Sequence, residues 1–269
     1  MIFKKAWAFF KRDWIENLSY KTSFVLDFFS IFANVLTFFY VSKIFGKGAS
    51  EHLQLYGGEY FPFVLIGIAL TSCQATCLNS FASVIGHEQE RGTLESILIT
   101  PTSLGAVIVS GSLWNFVFVS VRALVYLLLG VFIFQVDLSR INLLAASLVF
   151  ILSMTSLAGL GIFSAGFILV FKRGDPVNYL FTGLSRLLSG TYFPISILPF
   201  WAQNISHCLP LTYSLEAMRG SLLMGKTISE LHNEIFFLFS FSFILLPLGY
   251  LFFGWAVKRA KKEGSLVFY

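Results

Sequence analysis

The chain has 269 residues, of which 56% are hydrophobic and only 12% are charged. A soluble domain carries about a quarter charged residues, so this composition excludes an ordinary soluble protein. Several uncharged apolar runs reach the roughly 20 residues that a helix needs to cross the hydrocarbon core of a membrane. The net charge of +5 does not point to nucleic acid, because basic residues in a membrane protein mostly set its topology.

Residues 1–22 are predicted to form an amphipathic helix ahead of the membrane-spanning part. Aromatic residues, among them Trp7 and Trp14, recur on one face, while cations such as Arg12 gather on another. This arrangement is typical of a helix that lies in the lipid headgroup layer. Charged residues interrupt the apolar run, so a cleavable signal peptide is not expected.

Residues 23–258 are predicted to form an all-α integral membrane domain with six transmembrane helices, followed by a cytoplasmic tail at 259–269. The predicted spans cover residues 23–42, 61–85, 113–134, 141–171, 177–193 and 235–257. The short fifth span runs into a proline-rich stretch, 194–233. Lipid cannot satisfy a broken backbone, so we expect a re-entrant or surface-lying external hairpin there, before the last span.

The basic residues predict the orientation. With the N-terminus in the cytoplasm, twelve of the nineteen Lys and Arg residues fall inside, five fall outside and two lie within spans. Cytoplasmic loops carry an excess of Lys and Arg. Both termini are therefore expected in the cytoplasm, which requires an even number of spans.

One charged segment, 86–100, separates the second and third predicted spans on the cytoplasmic side. Leu94 and Leu98 belong to an apolar edge at helical spacing, and Gly86 and Gly92 punctuate the segment. This pattern predicts a short helix joined to its neighbours by sharp turns. Physics alone leaves two interpretations open: a helix that passes motion from a soluble partner into the membrane, or an ordinary solvated loop.

The run Glu90-Arg91-Gly92-Thr93-Leu94-Glu95, followed by Thr100-Pro101, closely resembles the intracellular motif of type-2 ATP-binding-cassette (ABC) transporter permeases. The stretches 189–194, 198–201 and 210–213 resemble the fifth span and external hairpin of that family. The resemblance covers essentially the whole chain in order. It implies an exporter of the drug or nodulation-factor kind, with a hydrophobic or amphipathic substrate such as a drug, a lipid or a lipid-linked glycan.

The resemblance also implies partners. A separate ABC ATPase subunit would use ATP and Mg, while this chain would bind no cofactor directly and would not be an enzyme. Residues 86–100 would be a coupling helix that docks on the ATPase, and residues 1–22 a gate helix that shares the contact. The residues implied at this contact are Glu88, Glu90, Arg91, Gly92, Thr93, Leu94, Glu95 and Leu98, with Trp7, Arg12 and Trp14 in the gate helix. A second permease copy or a homologous permease would complete a dimer in the lipids of a prokaryotic plasma (inner) membrane.

Four polar residues within the predicted spans are candidates for a translocation path or for pairing inside the membrane. They are Asp27, Asn34, Arg122 and Arg186. A charge near the bilayer centre costs at least about 2.5 kcal/mol, so each charged residue should face protein or water. One hypothesis is that Asp27 pairs with Arg122 or Arg186. The other is that these groups line a substrate path.

Two further classes of protein fit the sequence less well. A secondary carrier or channel independent of ATP often shows inverted repeats, and no convincing repeat is present. A membrane-embedded enzyme would need a metal or nucleophile constellation, and none is predicted. Residues 220–227 match the phosphate-loop pattern, but that pattern has its meaning only after a β-strand. No strand pattern precedes it, so we interpret the match as coincidental.

Overall fold

The fold is taken from a computed structural model that describes residues 2–19, 21–45, 53–90, 104–171 and 176–262. Within these ranges the regular structure is all helical. The α-helices are α1 (Ile2–Ser19), α2 (Lys21–Phe45), α3 (Tyr60–Glu90), α4 (Leu104–Phe132), α5 (Leu143–Phe171), α6 (Pro176–Leu188), α7 (Phe200–Ser206), α8 (Pro210–Leu223) and α9 (His232–Lys262). Two 3₁₀ turns lie at Gln54–Tyr56 and Ile195–Ile197.

Within the described ranges, five helices are long and apolar enough to cross a membrane. Their candidate spans are Val25–Ile44, Tyr60–Glu88, Gly105–Phe132, Leu143–Phe171 and His232–Lys262. The predicted all-helical, multi-pass class is therefore confirmed. Helix α6 has 13 residues, which at 1.5 Å per residue cover about 20 Å. It ends at Leu188 rather than at 193, since the chain turns at Gly190 with a φ of 81°.

Helix α3 is the centre of the bundle. In its most apolar stretch of 18 residues, 83% of the residues are buried. The helix packs against α2, α4, α5, α6 and α8. It continues without a break through Gly86 to Glu90, so the sharp turn predicted at Gly86 is wrong. A helical glycine costs only about 1 kcal/mol relative to alanine, and the burial of Ile85 and Glu88 stabilises the continued helix.

Helices α5 and α9 make the most extensive helix pair. A side-chain carbon added at Gly159 would lie 2.5 Å from the carbonyl carbon of Leu245, and one added at Gly249 would collide with the carbonyl oxygen of Gly159. The two backbones therefore touch where the glycines meet. Pro247 lies in α9 between Leu245 and Gly249. Because the two backbones approach so closely here, a residue larger than Gly159 would not fit on α5.

The core divides between the two ends of the bundle. One cluster joins the end of α3, the start of α4 and the ends of α5 and α9, and Phe9 of α1 packs against it. We call this the terminal end, because α1 and the last turns of α9 both lie there. Another cluster joins α8 to the starts of α5 and α9. We call this the hairpin end.

Helix α6 runs antiparallel to α3. Near the terminal end Asn178 donates to the carbonyl of Leu78 at 3.1 Å, and further along Gln74 donates to Ser185 at 2.9 Å. Beyond the end of α6, the hydroxyl of Thr191 lies 3.1 Å from that of Thr71. Helix α6 and residues 189–192 thus carry the chain from the terminal end towards the hairpin end.

Candidate functional site

An ion pair fastens α1 to the last turns of α3. Nη1 of Arg12 donates to Oε1 of Glu88 at 2.7 Å, across 76 positions of sequence. The Glu88 side chain is 3% exposed and that of Arg12 is 40% exposed. Arg12 also lies 2.9 Å from Asp13 and 5.0 Å from the centre of the Phe9 ring. Charge-assisted hydrogen bonds this short are among the stronger polar contacts in proteins.

Aromatic packing holds α1 against α4. Trp14 meets Trp114 edge-on, with ring centroids 5.0 Å apart, and Phe10 lies 5.7 Å from the same ring. Trp7 stacks on Phe10 but stays 61% exposed. The predicted N-terminal helix exists, and one of its faces is packed on protein. We call α1, residues 85–90 of α3 and the first turns of α4 the coupling edge.

Most of the predicted coupling helix lies outside the described residues. Arg91, Gly92, Thr93, Leu94, Glu95 and Leu98 all fall there, and of Glu90 only the helical backbone is described. Glu88 is thus the one predicted coupling residue whose side chain the structure describes. Glu88 is buried and pairs with Arg12 of the predicted gate helix. The sequence did not predict this contact, because nothing in the residue spacing links positions 12 and 88.

A polar cavity of about 300 Å³ lies among α2, α3, α4 and α6. Nine of its eleven lining residues carry a hydroxyl, amide or guanidinium group. These are Ser30, Asn34, Thr71, Ser72, Thr76, Arg122, Tyr126, Arg186 and Tyr192. The contributing residues of α2, α3 and α4 lie near the middle of helices long enough to span the membrane. The cavity therefore lies at the middle depth of the bundle.

Three of the four predicted intramembrane residues meet in this cavity. Asn34, Arg122 and Arg186 line it, whereas Asp27, two turns earlier on α2, does not. Across the described ranges the ion pairs are those of Arg12 alone, so the hypothesised pairing of Asp27 with either arginine is not made in this structure. Within the part of the chain that the structure describes, the buried Nε of Arg122 has no hydrogen-bond partner.

The hydroxyl groups of the cavity were missed by sequence reasoning. The hydroxyls of Ser and Thr in helices commonly donate a hydrogen bond to the carbonyl four residues earlier, as those of Thr71 and Thr76 do here. Their presence in an apolar run therefore carries little information. Only the helix packing reveals that several of them share one cavity with two arginines.

A second feature that the sequence did not reveal is the burial of Arg219 on α8. Its side chain is 2% exposed. Nε and Nη2 donate to the carbonyl of Phe63 at 3.2 and 3.1 Å, and Nη2 donates to the carbonyl of Thr191 at 3.2 Å. The guanidinium also lies 3.4 Å from the Phe63 ring centre. One arginine thus ties α8, the start of α3 and the segment after α6 together.

The phosphate-loop match has a helical setting. Residues up to Leu223 belong to α8, and Thr227 bonds Glu230 through both its N–H and its hydroxyl, at 2.7 and 2.8 Å. These bonds hold the pKa of Glu230 below its usual value. A strand, which a phosphate loop needs in front of it, is replaced by a helix, and the threonine is engaged in a local turn.

A multi-pass helical bundle with arginines around a polar cavity at middle depth is typical of membrane transport proteins. The chain belongs to the ABC-2 type transporter family, whose model matches residues 4–223. It is therefore a membrane subunit of an ABC transporter, as the motif at 90–95 implied.

Three relatives illustrate the family. Nodulation protein J of Sinorhizobium fredii (strain NBRC 101917 / NGR234) is 28% identical over 186 residues, which are 66% of this chain and 68% of that protein. Inner membrane transport permease YadH of Escherichia coli (strain K12) is 23% identical over 223 residues, 80% of this chain and 78% of that protein. Probable multidrug ABC transporter permease YbhR of the same strain is 19% identical over 151 residues, covering 56% of this chain and 41% of that protein.

Proposed function

We propose that this chain is the permease subunit of an ABC exporter and that a separate ATPase subunit supplies the driving force. The observation that carries the proposal is the ion pair between Arg12 and Glu88 in a chain of the ABC-2 family. It makes α1 and the end of α3 move together. Residues 86–100, which follow directly, are the proposed ATPase contact.

Helix α3 is the proposed transmission element. It runs from the coupling edge at Glu88 past Thr76, Ser72 and Thr71 of the cavity without interruption. The twelve residue steps from Thr76 to Glu88 span about 18 Å of helix. A continuous helix moves as one body, so displacement of its end at Glu90 by ATP-dependent closure of the ATPase would change the cavity. ATP binding must then favour a different state of the permease than nucleotide release does.

The proposed topology has six spans. Helix α6, extended by residues 189–192, is the fifth crossing, and both termini face the cytoplasm with the terminal end. The stretch 194–233, with α7 and α8, is the proposed re-entrant external hairpin. In this orientation Lys226 and Thr227 face away from cytoplasmic ATP.

The proposed assembly is a dimer with a second copy of this chain or a homologous permease, in a prokaryotic inner membrane. The proposed cargo is an amphipathic molecule. Relatives whose names refer to nodulation and multidrug transport support this breadth of cargo without selecting among drugs, lipids and lipid-linked glycans.

Purification of the tagged chain from its native membrane tests the proposal. A soluble ATPase is expected to copurify in stoichiometric amount and to be lost on combined Glu90→Ala and Arg91→Ala substitution. The matched control is combined Lys226→Ala and Glu230→Ala substitution at the hairpin end, which removes the same charges and should leave the ATPase bound. Transport by the purified chain under an ion gradient, with no ATPase present, would refute the proposal in favour of a secondary carrier.

A further inference from the structure

We infer that the cavity at middle depth binds an anionic, oxygen-rich headgroup, and hence that the cargo of this permease is an amphipathic anion. The inference rests on the proposed function only in taking the cavity as part of the cargo path. The binding site itself is argued from the charges and hydrogen-bonding groups of the described residues.

The charge of the cavity is positive. Arg122 and Arg186 both line it, and no Asp or Glu is among the described residues around it. Neither arginine has an ion pair within the described ranges. Two guanidinium groups in a membrane interior need a counter-charge or water. Because the described residues around the cavity supply no such carboxylate, a bound anion is the ligand that best satisfies both.

The chemistry of the lining narrows the class of ligand. A guanidinium presents N–H groups in a fixed fork that matches the oxygens of phosphate, sulfate or carboxylate. The buried Nε of Arg122 lacks a hydrogen-bond partner among the described residues. The side chains of Ser72 and Tyr126 also line this space and hydrogen-bond each other. One hydroxyl of this pair therefore remains able to donate to a further oxygen of such a headgroup.

The same features disfavour a cationic cargo. A cationic amphiphile would meet two like charges without an acidic partner among the described lining residues. Like charges repel each other, and more strongly where bulk water screens them less. A cavity built for cationic drugs would be expected to present carboxylates or free aromatic faces. Here the described lining has no carboxylate, and the Tyr192 ring is stacked on that of Phe38, with ring centroids 5.4 Å apart.

Binding to the purified full chain tests the inference without any ATPase. The chain is placed in nanodiscs of zwitterionic phosphatidylcholine and titrated calorimetrically with dihexanoyl phosphatidate, with dihexanoylglycerol and with inorganic phosphate, each corrected for empty nanodiscs. The first two probes differ only by the phosphate group. We expect phosphatidate to bind about 10- to 100-fold more tightly than the uncharged lipid, because charge-assisted hydrogen bonds contribute that much.

Variants identify the groups responsible. Combined Arg122→Gln and Arg186→Gln substitution should remove the preference for phosphatidate, whereas Arg140→Gln, at an exposed loop position, should keep it. Arginine-dependent binding of inorganic phosphate as tight as that of phosphatidate would support the anion site and identify a soluble anion as its source. Equal affinity of the wild-type chain for phosphatidate and dihexanoylglycerol would overturn the inference, and this comparison needs no variant to fold.

The test is separable from that of the proposed function. A missing anion preference with a copurifying ATPase would overturn the cargo class alone. A clear anion preference in a chain that recruits no ATPase would overturn the proposed energy source alone.

Discussion

The guanidinium of Arg12 lies 2.7 Å from the carboxylate of Glu88. This contact joins α1 to α3, one of the helices that line the cavity. Burial of Glu88 makes the pair more than a surface contact, since a buried carboxylate that loses its donor carries a desolvation cost. The coupling edge is therefore a defined structural unit.

A double-mutant cycle measures this pair. Arg12→Met keeps packing on Phe9, and Glu88→Gln keeps the shape of the acid. We expect a coupling free energy of about 1 to 2 kcal/mol, above that of exposed pairs because Glu88 is buried, and limited by the exposure of Arg12. Thermal unfolding in detergent gives the four stabilities. Lys11→Met, at an exposed neighbour on α1, should show no coupling to Glu88→Gln, and a similar value for both pairs would remove the special role of Arg12.

The glycine contact between α5 and α9 predicts a strong steric effect. Gly159→Ala places a carbon 2.5 Å from the carbonyl carbon of Leu245, so the helices must separate. Overpacking of this kind costs about 1 to 3 kcal/mol, which thermal unfolding would detect as a lowered midpoint. Gly183→Ala on α6 is the control, since an added carbon there meets nothing within 4 Å. A Gly159→Ala chain as stable as the Gly183→Ala chain would contradict the close contact.

Arg219 should not be replaceable by lysine. Lysine keeps the charge but cannot reach the carbonyls of Phe63 and Thr191 with the same planar fork. We expect Arg219→Lys to destabilise the chain by about 1.5 to 3 kcal/mol, the contribution of a hydrogen bond to a charged group. The unfolding midpoint should fall, while Arg140→Lys at an exposed position should leave it in place. Equal midpoints for the two variants would mean that the fork geometry is unimportant.

The phosphate-loop match should have no role in nucleotide use. Lys226 follows a helix rather than a strand, so Lys226→Ala is expected to leave ATP hydrolysis by the permease–ATPase complex unchanged. Hydrolysis is measured as phosphate release at saturating ATP. A loss of activity as severe as that expected for a true phosphate-loop lysine would show that the helical setting does not prevent nucleotide binding.

The sequence predicted the helices well, because an uncharged apolar run of about 20 residues matches the length of a membrane-spanning helix and exceeds that of most buried strands. It placed the boundaries less well. The break expected at Gly86 is absent, since a single glycine weakens a helix by less than the surrounding packing stabilises it. The predicted helix over 177–193 ends at Leu188, because the chain turns at Gly190, whose φ is left-handed, although apolar residues follow.

The candidate sites were predictable only in part. Asn34, Arg122 and Arg186 stand out in a sequence because polar groups in membrane spans are rare and functional. The rotation and packing of the helices decide that these three residues meet and that Asp27 does not join them. They also decide that Arg12 contacts Glu88. No periodicity in one sequence carries that information. The burial of Arg219 was not predicted, because the stretch 194–233 that contains it has no apolar run of membrane-spanning length.

A distance measurement tests the central claim, that a nucleotide-hydrolysing partner moves this bundle through the coupling edge. Spin labels are placed at the exposed positions Lys21 and Lys262 after Lys→Cys substitution, with the exposed Cys208 changed to Ser and the buried Cys73 and Cys77 left in place. With the ATPase bound, ATP and vanadate are expected to shift the distance distribution; the permease alone should not respond to ATP or to a proton or sodium gradient. A shift driven by an ion gradient in the absence of the ATPase, or an unchanged distribution in the nucleotide-trapped complex, would contradict the account.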